Sequence, residues 1–389
     1  MRALMVTENL MEGGAQAFIL RLAEALQNRN VSVRVLLLND DLENLALTGL
    51  YPNVSIIRLH LPFRSLLRKL DSLLFHLRSD FSIVDWFHKR IITKRYADNT
   101  DVFHTHYPKA DYLISRLKRH KALHIVSVHG DYKEQYEHHR KYNRSIWNHF
   151  ENKLAYLKKS VHKWVLASEE QRRFFIDTQQ LTDNKLCKIY YGFSKGTSQH
   201  ANTVTRNSND VFTVGMVARG LQGKGWRVLI EAFLLLDRPC RLRLAGDGKY
   251  LRELQKEFSN YNHISFLGYR EDVLAVIKSC DVMVLPSHHS TESLPYSVIE
   301  ALSCGKPVIA SDVGELQNML TEEESGALAG TILPLVNGQV QTEDLYKSLL
   351  EFYQNKEFLT EKSLLAAKAF SKFEMEKCVD AYISIYQGK

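Results

Sequence analysis

Glu292 and Glu300 stand eight residues apart in the run SHHSTESLPYSVIEALSCGKPVIASD, Ser287 to Asp312. Two carboxylates this close could share acid–base work, as in glycoside hydrolysis. They could instead hold a polyhydroxy ligand, because an ionised carboxylate accepts hydrogen bonds from vicinal hydroxyls. Pro295 marks a first helical turn, where its missing N–H is not needed. Glu292 then precedes the helix and Glu300 lies inside it. Eight steps along a regular helix leave them about 80° apart, so they would reach different parts of one long ligand. The N–H groups of Ser293 and Leu294 would point outward with the positive end of the helix dipole, a site for phosphate or sugar oxygens. The plain alternative is a surface helix with solvated acids.

A second constellation is VGMVARGLQGKGWRVLIEAF, where Arg219 and Lys224 stand among Gly220, Gly223 and Gly225. Glycines let backbone approach a ligand, and two cations can clamp a diphosphate. A Walker A loop is excluded: Ala218 replaces its first glycine and Gly225 replaces the magnesium-binding hydroxyl. Gly13 and Gly14 fall between a first strand and a first helix, where phosphate loops sit, without the spacing of a dinucleotide fingerprint. His129 lies at the carboxyl end of a strand, the ligand edge of an open α/β sheet. His104 and His106 alternate on one side of another strand, and no Asp, Glu or Cys nearby completes a metal site. Asp247, in the Gly246–Gly248 turn, is expected to cap the following helix; His288 and His289 read as surface or loop residues.

The elements that must position these groups alternate strand and helix. ALMVT, the helix GGAQAFILRLAEALQNRN (with Phe18, Leu22, Ala25 and Leu26 on one face) and VSVRVLLL form a β-α-β unit, which implies parallel strands and a right-handed crossover. VFHTH, LHIVSVHG, KWVLAS and CKIYYGF continue the half. Residues 194–210 are polar and aperiodic and read as a linker. The alternation restarts at VFTVGMVA and runs through CRLRLAG, ISFLG, VMVLPS and PVIASD. The reading is two α/β domains: residues 1–195, a linker at 196–210, residues 211–370, and a C-terminal helix at 371–389.

In order, the early Gly-Gly, His129, Arg219 with Lys224, Ala-Gly-Asp-Gly, and Glu-x7-Glu followed by ALSCGKPVIASDVGE resemble the retaining family 4 glycosyltransferases of the GT-B fold. The likeness spans nearly the whole chain and is sharpest over 211–318. The resemblance implies two Rossmann-like domains facing each other across a cleft, with the C-terminal helix returning toward the first. It implies a nucleotide-sugar donor held by the second domain and a glycan or lipid-linked glycan acceptor held by the first. Arg219 and Lys224 would hold the diphosphate, Glu300 the ribose, and Glu292 with the N–H groups of Ser293 and Leu294 the donor sugar. His129 would contact that sugar, and Gly14, beside Gly13, would let backbone approach the diphosphate. His129, Arg219, Lys224 and Glu292 would then form the catalytic set of a hexosyltransferase. No D-x-D occurs in the chain, so no metal or other cofactor is expected. Alternatives are a nucleotide-sugar epimerase of the same fold and a catalytically silent carbohydrate-binding subunit.

Composition bounds the rest. A chain of 389 residues is long for one core. Five scattered cysteines without C-x-x-C argue for a reducing compartment and against a disulfide or zinc framework. The absence of a signal-type N-terminus and of a long apolar run leads to a cytoplasmic expectation. A net charge of +7 suits anionic ligands or a membrane surface, and no nucleic-acid-binding motif is recognised. Residues 62–96 combine a stripe of Leu66, Leu70, Leu73, Leu74 and Leu77 with eight Lys/Arg and several aromatics. Such a stretch either packs its leucines into the first domain or lies on the anionic inner face of a cell membrane.

Overall fold

The computed structural model describes residues 1–11, 13–76, 82–117, 121–129, 132, 136, 144–195, 211–289 and 292–389. The chain forms two compact units, Met1–Gly192 with Met375–Lys389, and Phe193–Glu374. The stretch 196–210, read as a linker, lies outside the described residues.

The first unit is built on β1 (Arg2–Thr7), β2 (Ser32–Leu37), β3 (Ser55–Arg58), β4 (Val102–His106), β5 (Leu123–Ser127), β6 (Lys163–Leu166) and β7 (Leu186–Lys188). They form one parallel sheet in the order β3-β2-β1-β4-β5-β6-β7. The chain builds outward from β1 to β3 and then returns to the other side of β1. The strand order therefore reverses between β1 and β4, and ligands bind beyond the carboxyl ends of strands at such a point. ALMVT reads as a continuous apolar run because helices cover both faces of a parallel sheet; Ala3–Thr7 are all buried. The Gly14–Asn28 helix buries Phe18, Leu22 and Leu26 at intervals of four, with Ile19 and Ala23 beside them. Ala25, expected on that face, is half-buried, because Ala23 is the residue four on from Ile19.

The C-terminal helix, Met375–Tyr386, belongs to this first unit and packs on the Gly14–Asn28 helix. Its tyrosines reach the sheet: Tyr386 Oη lies 2.7 Å from His104 Nδ1, and Tyr382 Oη lies 2.9 Å from Ser127 Oγ. Gly192 lets the chain pass, since a Cβ there would come within 2.7 Å of Met375 Sδ and 2.8 Å of Cys378 Cβ.

Residues 62–96 form two helices, Arg64–His76 and Ile83–Arg95. Asp71 on the first caps the second, accepting from Ile83 N at 2.6 Å and Ser82 Oγ at 2.7 Å, which also places an anion at a helix N-terminus. The second buries Val84, His88 and Ile92. The leucine stripe is not core: Leu66, Leu70 and Leu73 are exposed, as are Phe63, Trp86 and Phe87. Leu77 lies outside the described residues. Among the described residues no helix is long and apolar enough to cross a membrane.

The second unit repeats the plan with β8 (Phe212–Val217), β9 (Cys240–Ala245), β10 (Ile264–Gly268), β11 (Val282–Leu285), β12 (Val308–Ser311) and β13 (Gly330–Leu333). Its order is β10-β9-β8-β11-β12-β13, all parallel, so the strand order reverses between β8 and β11. All five cysteines are free thiols.

Candidate active site

The residues singled out in the second unit follow the two strands that flank its reversal. Arg219 and Lys224 come after β8, and Glu292 comes after β11. The loop after β8 is pressed against its neighbours by glycines. Gly225 has φ +81°, and a Cβ there would lie 2.2 Å from the Pro286 carbonyl oxygen. Gly220 donates its N–H to Asp247 O at 2.7 Å and leaves no room for a side chain against Asp247 and Gly248. The Gly223 carbonyl accepts from His288 N at 2.8 Å and Ser287 Oγ at 3.2 Å, so the histidines read as loop residues pack against this turn. Trp226 Nε1 donates to Arg219 O at 3.0 Å and fixes the turn in which the exposed Arg219 sits.

This folding brings Lys224 Nζ onto Glu292 Oε2 in a buried ion pair. The sequence assigned these two separate roles, whereas the structure couples them across 68 residues. The Glu292–Leu294 backbone is held from behind by a residue that sequence reasoning missed. Gly314 has φ +56°, and a Cβ there would come within 1.8 Å of the Glu292 carbonyl oxygen. Next to it, Glu315 N donates to Ser293 O at 2.9 Å. Among the described residues the N–H groups of Ser293 and Leu294 donate to no protein acceptor, which leaves them for a ligand. Pro295 is the N-cap, and the helix runs Tyr296–Ser303, one position later than Pro295 implied. Glu300 is half-buried on that helix. The pair Lys224–Glu292, the exposed Arg219 and these N–H groups supply cations, an anion and neutral donors for a ligand with phosphates and hydroxyls.

Asp247 does not cap the next helix. The N-cap of Lys249–Glu257 is Gly248, without a side-chain cap, and Asp247 Oδ1 accepts from Arg252 Nη1 at 2.5 Å. The ion pair with Arg252, charged on both sides, holds the carboxylate instead.

In the first unit, Gly13 is the N-cap of the Gly14–Asn28 helix after β1, and Gly14 is exposed. His129 lies two residues beyond β5, in contact with groups that sequence reasoning did not place. His129 Nδ1 lies 2.6 Å from Tyr191 Oη and its Nε2 lies 3.0 Å from His106 Nδ1. Burial pushes the His129 pKa down to about 3, so the ring is neutral near pH 7 and acts as a hydrogen-bonding group, not as a cation. His104 is bonded at both nitrogens, to Tyr386 and to Ser127 Oγ at 2.7 Å, and is a satisfied core residue. Among the described residues no group of three or more His, Cys, Asp or Glu could hold a metal ion.

Two Rossmann-like units with such groups at the carboxyl edges define the class. Residues 12–194 match the family Glycosyltransferase Family 4, and residues 208–355 match Glycosyl transferases group 1. An uncharacterized glycosyltransferase of Methanocaldococcus jannaschii is 25% identical over 75% of this chain and 76% of its own length. The N,N'-diacetylbacillosaminyl-diphospho-undecaprenol alpha-1,3-N-acetylgalactosaminyltransferase of Campylobacter jejuni is 27% identical over 44% of this chain and 48% of its own. Among solved structures, Anabaena HepE in complex with UDP and glucose superposes with a TM-score of 0.73 at 17% identity, covering 100% of both chains. The chain is a glycosyltransferase of the GT-B fold, related to the group 1 and family 4 enzymes.

Proposed function

We propose that this enzyme is a retaining family 4 hexosyltransferase. In this reading it moves a sugar from a nucleotide-sugar donor, UDP-linked, to a lipid-linked glycan in bacterial cell-surface polysaccharide assembly. The observation that carries the donor reading is the buried Lys224–Glu292 pair beside the N–H groups of Ser293 and Leu294, which have no protein acceptor among the described residues. Arg219 and Lys224 take the diphosphate, Glu292 and the two N–H groups take the sugar, and Glu300 takes the ribose. His129 bonds a substrate hydroxyl by exchanging one of its two present partners, Tyr191 or His106, for it, and the Gly13-Gly14 turn admits a phosphate close to backbone. The charge that grows on the departing diphosphate is met by fixed cations and N–H groups, and that differential stabilisation lowers the barrier. A donor phosphate oxygen takes the acceptor proton on the same face, so configuration at the anomeric carbon is kept.

UDP is favoured by the likeness to HepE, whose crystals hold UDP and glucose. A lipid-linked acceptor is favoured by the Campylobacter relative, whose name places its acceptor on undecaprenol diphosphate. Peripheral attachment to the cytoplasmic face of a membrane is favoured by the exposed Phe63, Leu66, Leu70, Leu73, Trp86 and Phe87 among the basic residues of 62–96.

The test is a thermal-shift panel of nucleotides and nucleotide sugars, followed by transfer assays with the best donor. A ligand at about 100 times its dissociation constant adds about 2.7 kcal/mol of stability. The expected result is a clear shift with UDP or a UDP-sugar and an acceptor-dependent product of retained configuration. Release of an epimerised sugar without an acceptor would instead establish the epimerase alternative, and no response to any nucleotide would overturn the reading.

A further inference from the structure

At the amino ends of β1 and β2, the edge of the first sheet opposite Gly13 and His129, three arginines line a cavity of about 400 Å³. Its walls are Arg2, Ser32, Arg34, Arg95, Asn99 and Thr100, with Ala3. The fold explains why they meet. Arg2 pairs with Ser32 and Leu4 with Arg34 in the β1–β2 register, so Arg2, Ser32 and Arg34 share the sheet face that carries Leu4. Leu4 packs in one cluster with Ile92 of the Ile83–Arg95 helix, which brings the end of that helix, Arg95, over this face.

The charges are unequal. Arg2 is neutralised by Asp101, at 2.9 Å, and also reaches Asn99 Oδ1 at 3.3 Å. Arg34 lies over the Tyr96 ring, 5.4 Å from its centroid, and is half-buried. Among the described residues neither Arg34 nor Arg95 has a carboxylate partner. A cation at a helix C-terminus is favourable in itself, and that accounts for Arg95. It does not account for Arg34, which projects from a strand and gives up part of its hydration without a counter-charge.

We propose that this cavity is an anion site for a phosphate monoester, distinct from the donor residues of the second unit. Two unpaired guanidinium groups match a monoester, which carries about −1.5 to −2 charge at pH 7. Their planar forks bind phosphate oxygens bidentately. Asn99, Ser32 and Thr100 bring further polar groups to the wall. The volume is that of a small-ligand pocket, in the range of about 300–1,000 Å³. The monoester is either a small soluble one, for which inorganic phosphate is the probe, or the headgroup of a lipid such as phosphatidic acid.

The full chain is titrated with inorganic phosphate by ³¹P NMR, and its sedimentation with phosphatidylcholine vesicles is measured with and without phosphatidic acid. The variants are Arg34→Gln/Arg95→Gln, Arg95→Gln alone, and the charge-keeping Arg95→Lys, each checked for folding by circular dichroism. Arg95 is exposed, so its single variants keep the test valid if the double variant does not fold. Loss of one charge-assisted bond weakens binding by at least about tenfold, and the double variant loses more. Arginine-dependent binding of phosphate alone supports the site with a soluble ligand. Arginine-dependent binding of phosphatidic acid vesicles supports it with a lipid headgroup. Absence of binding in the wild-type protein, or binding of both probes unchanged in Arg95→Gln and the double variant, overturns it.

Discussion

His106 Nδ1 lies 3.0 Å from His129 Nε2, with the two rings stacked. Two imidazoles can share a hydrogen bond only if one nitrogen donates and the other accepts, so the two rings cannot both be protonated. Burial enforces this. It holds His129, His104 and, farther away, His88 down at about 3, and His106 well below its usual value. Unfolding returns each to about 6.5. Between about pH 3 and 6.5 the unfolded chain therefore binds more protons, and stability is full above 6.5 and falls as pH drops toward 3. Ordinary carboxylates titrate below pH 5, and Asp85, raised by burial, would add stability as pH falls, so a fall between pH 6.5 and 5 reports these histidines. The midpoint of urea unfolding should fall over that interval, and His106→Phe should flatten the fall. A midpoint flat from pH 7 to 5 in the wild-type protein would contradict the neutral network.

The Lys224–Glu292 pair gives an asymmetric stability pattern. Lys224→Ala alone leaves a carboxylate buried without its cation, and breaking a buried pair this way costs about 3–5 kcal/mol. Lys224→Ala/Glu292→Gln removes the stranded charge as well, so it should be more stable than the single variant. Denaturant titration of both proteins decides this. Equal stability would mean that water reaches Glu292 freely.

Kinetics separate the roles proposed around that pair. Arg219 is exposed, so Arg219→Ala should spare the fold and slow turnover by about 10²–10³-fold, the scale for one donor that meets growing negative charge. Glu300→Gln keeps the shape and weakens a bond to a ribose that does not change during transfer, so it should mainly raise the donor KM. Steady-state rates at saturating donor distinguish the two effects. A Glu300→Gln enzyme without turnover, alongside an unimpaired Arg219→Ala enzyme, would exchange the roles.

Much of this was legible in the sequence, for a physical reason. A parallel sheet covered on both faces writes each strand as an apolar run, and the intervening helices have their own period, so the two α/β halves could be read directly. The turn residues of the site were visible because Gly225 and Pro295 act locally. What stayed hidden depends on which strands become neighbours. His106 meets His129 only because β4 pairs with β5, and Tyr191 reaches His129 from 62 residues away. Gly314 looked like any turn glycine until the fold placed the Glu292 carbonyl against it. The leucine stripe of 62–96 declared a helix, but a period cannot say whether core, partner or lipid covers the apolar side.

Gly314→Ala tests the support behind Glu292. The added methyl would collide with backbone, which cannot step aside as a flexible side chain could, and φ +56° is strained for any residue with a Cβ. The cost should exceed about 1 kcal/mol, with weaker donor binding because the Ser293 and Leu294 N–H groups move. Calorimetric melting and a donor titration check both parts. Unchanged melting and donor affinity would show that the Glu292–Leu294 segment gives way without loss.

The exposed face of residues 62–96 makes the final prediction. Leu66, Leu70 and Leu73 project from the Arg64–His76 helix, and Arg68 and Lys69 are exposed on the same helix. Trp86 and Phe87 are exposed on the neighbouring helix, with Arg90 over the Trp86 ring at 5.6 Å. Apolar side chains can enter the acyl boundary while the cations meet anionic headgroups, each worth about 1 kcal/mol near the surface. Flotation with anionic vesicles should therefore be strong at low salt and weaken as salt shortens the Debye length from about 30 Å at 0.01 M to about 8 Å at 0.15 M. Leu66→Ser/Leu70→Ser/Leu73→Ser should reduce flotation at every salt concentration without a loss of melting temperature, because these side chains are exposed in the fold. A triple variant that melts markedly lower would show that the leucines are covered by protein. Wild-type protein that stays with the aqueous fraction at low salt would rule out this face as a membrane contact.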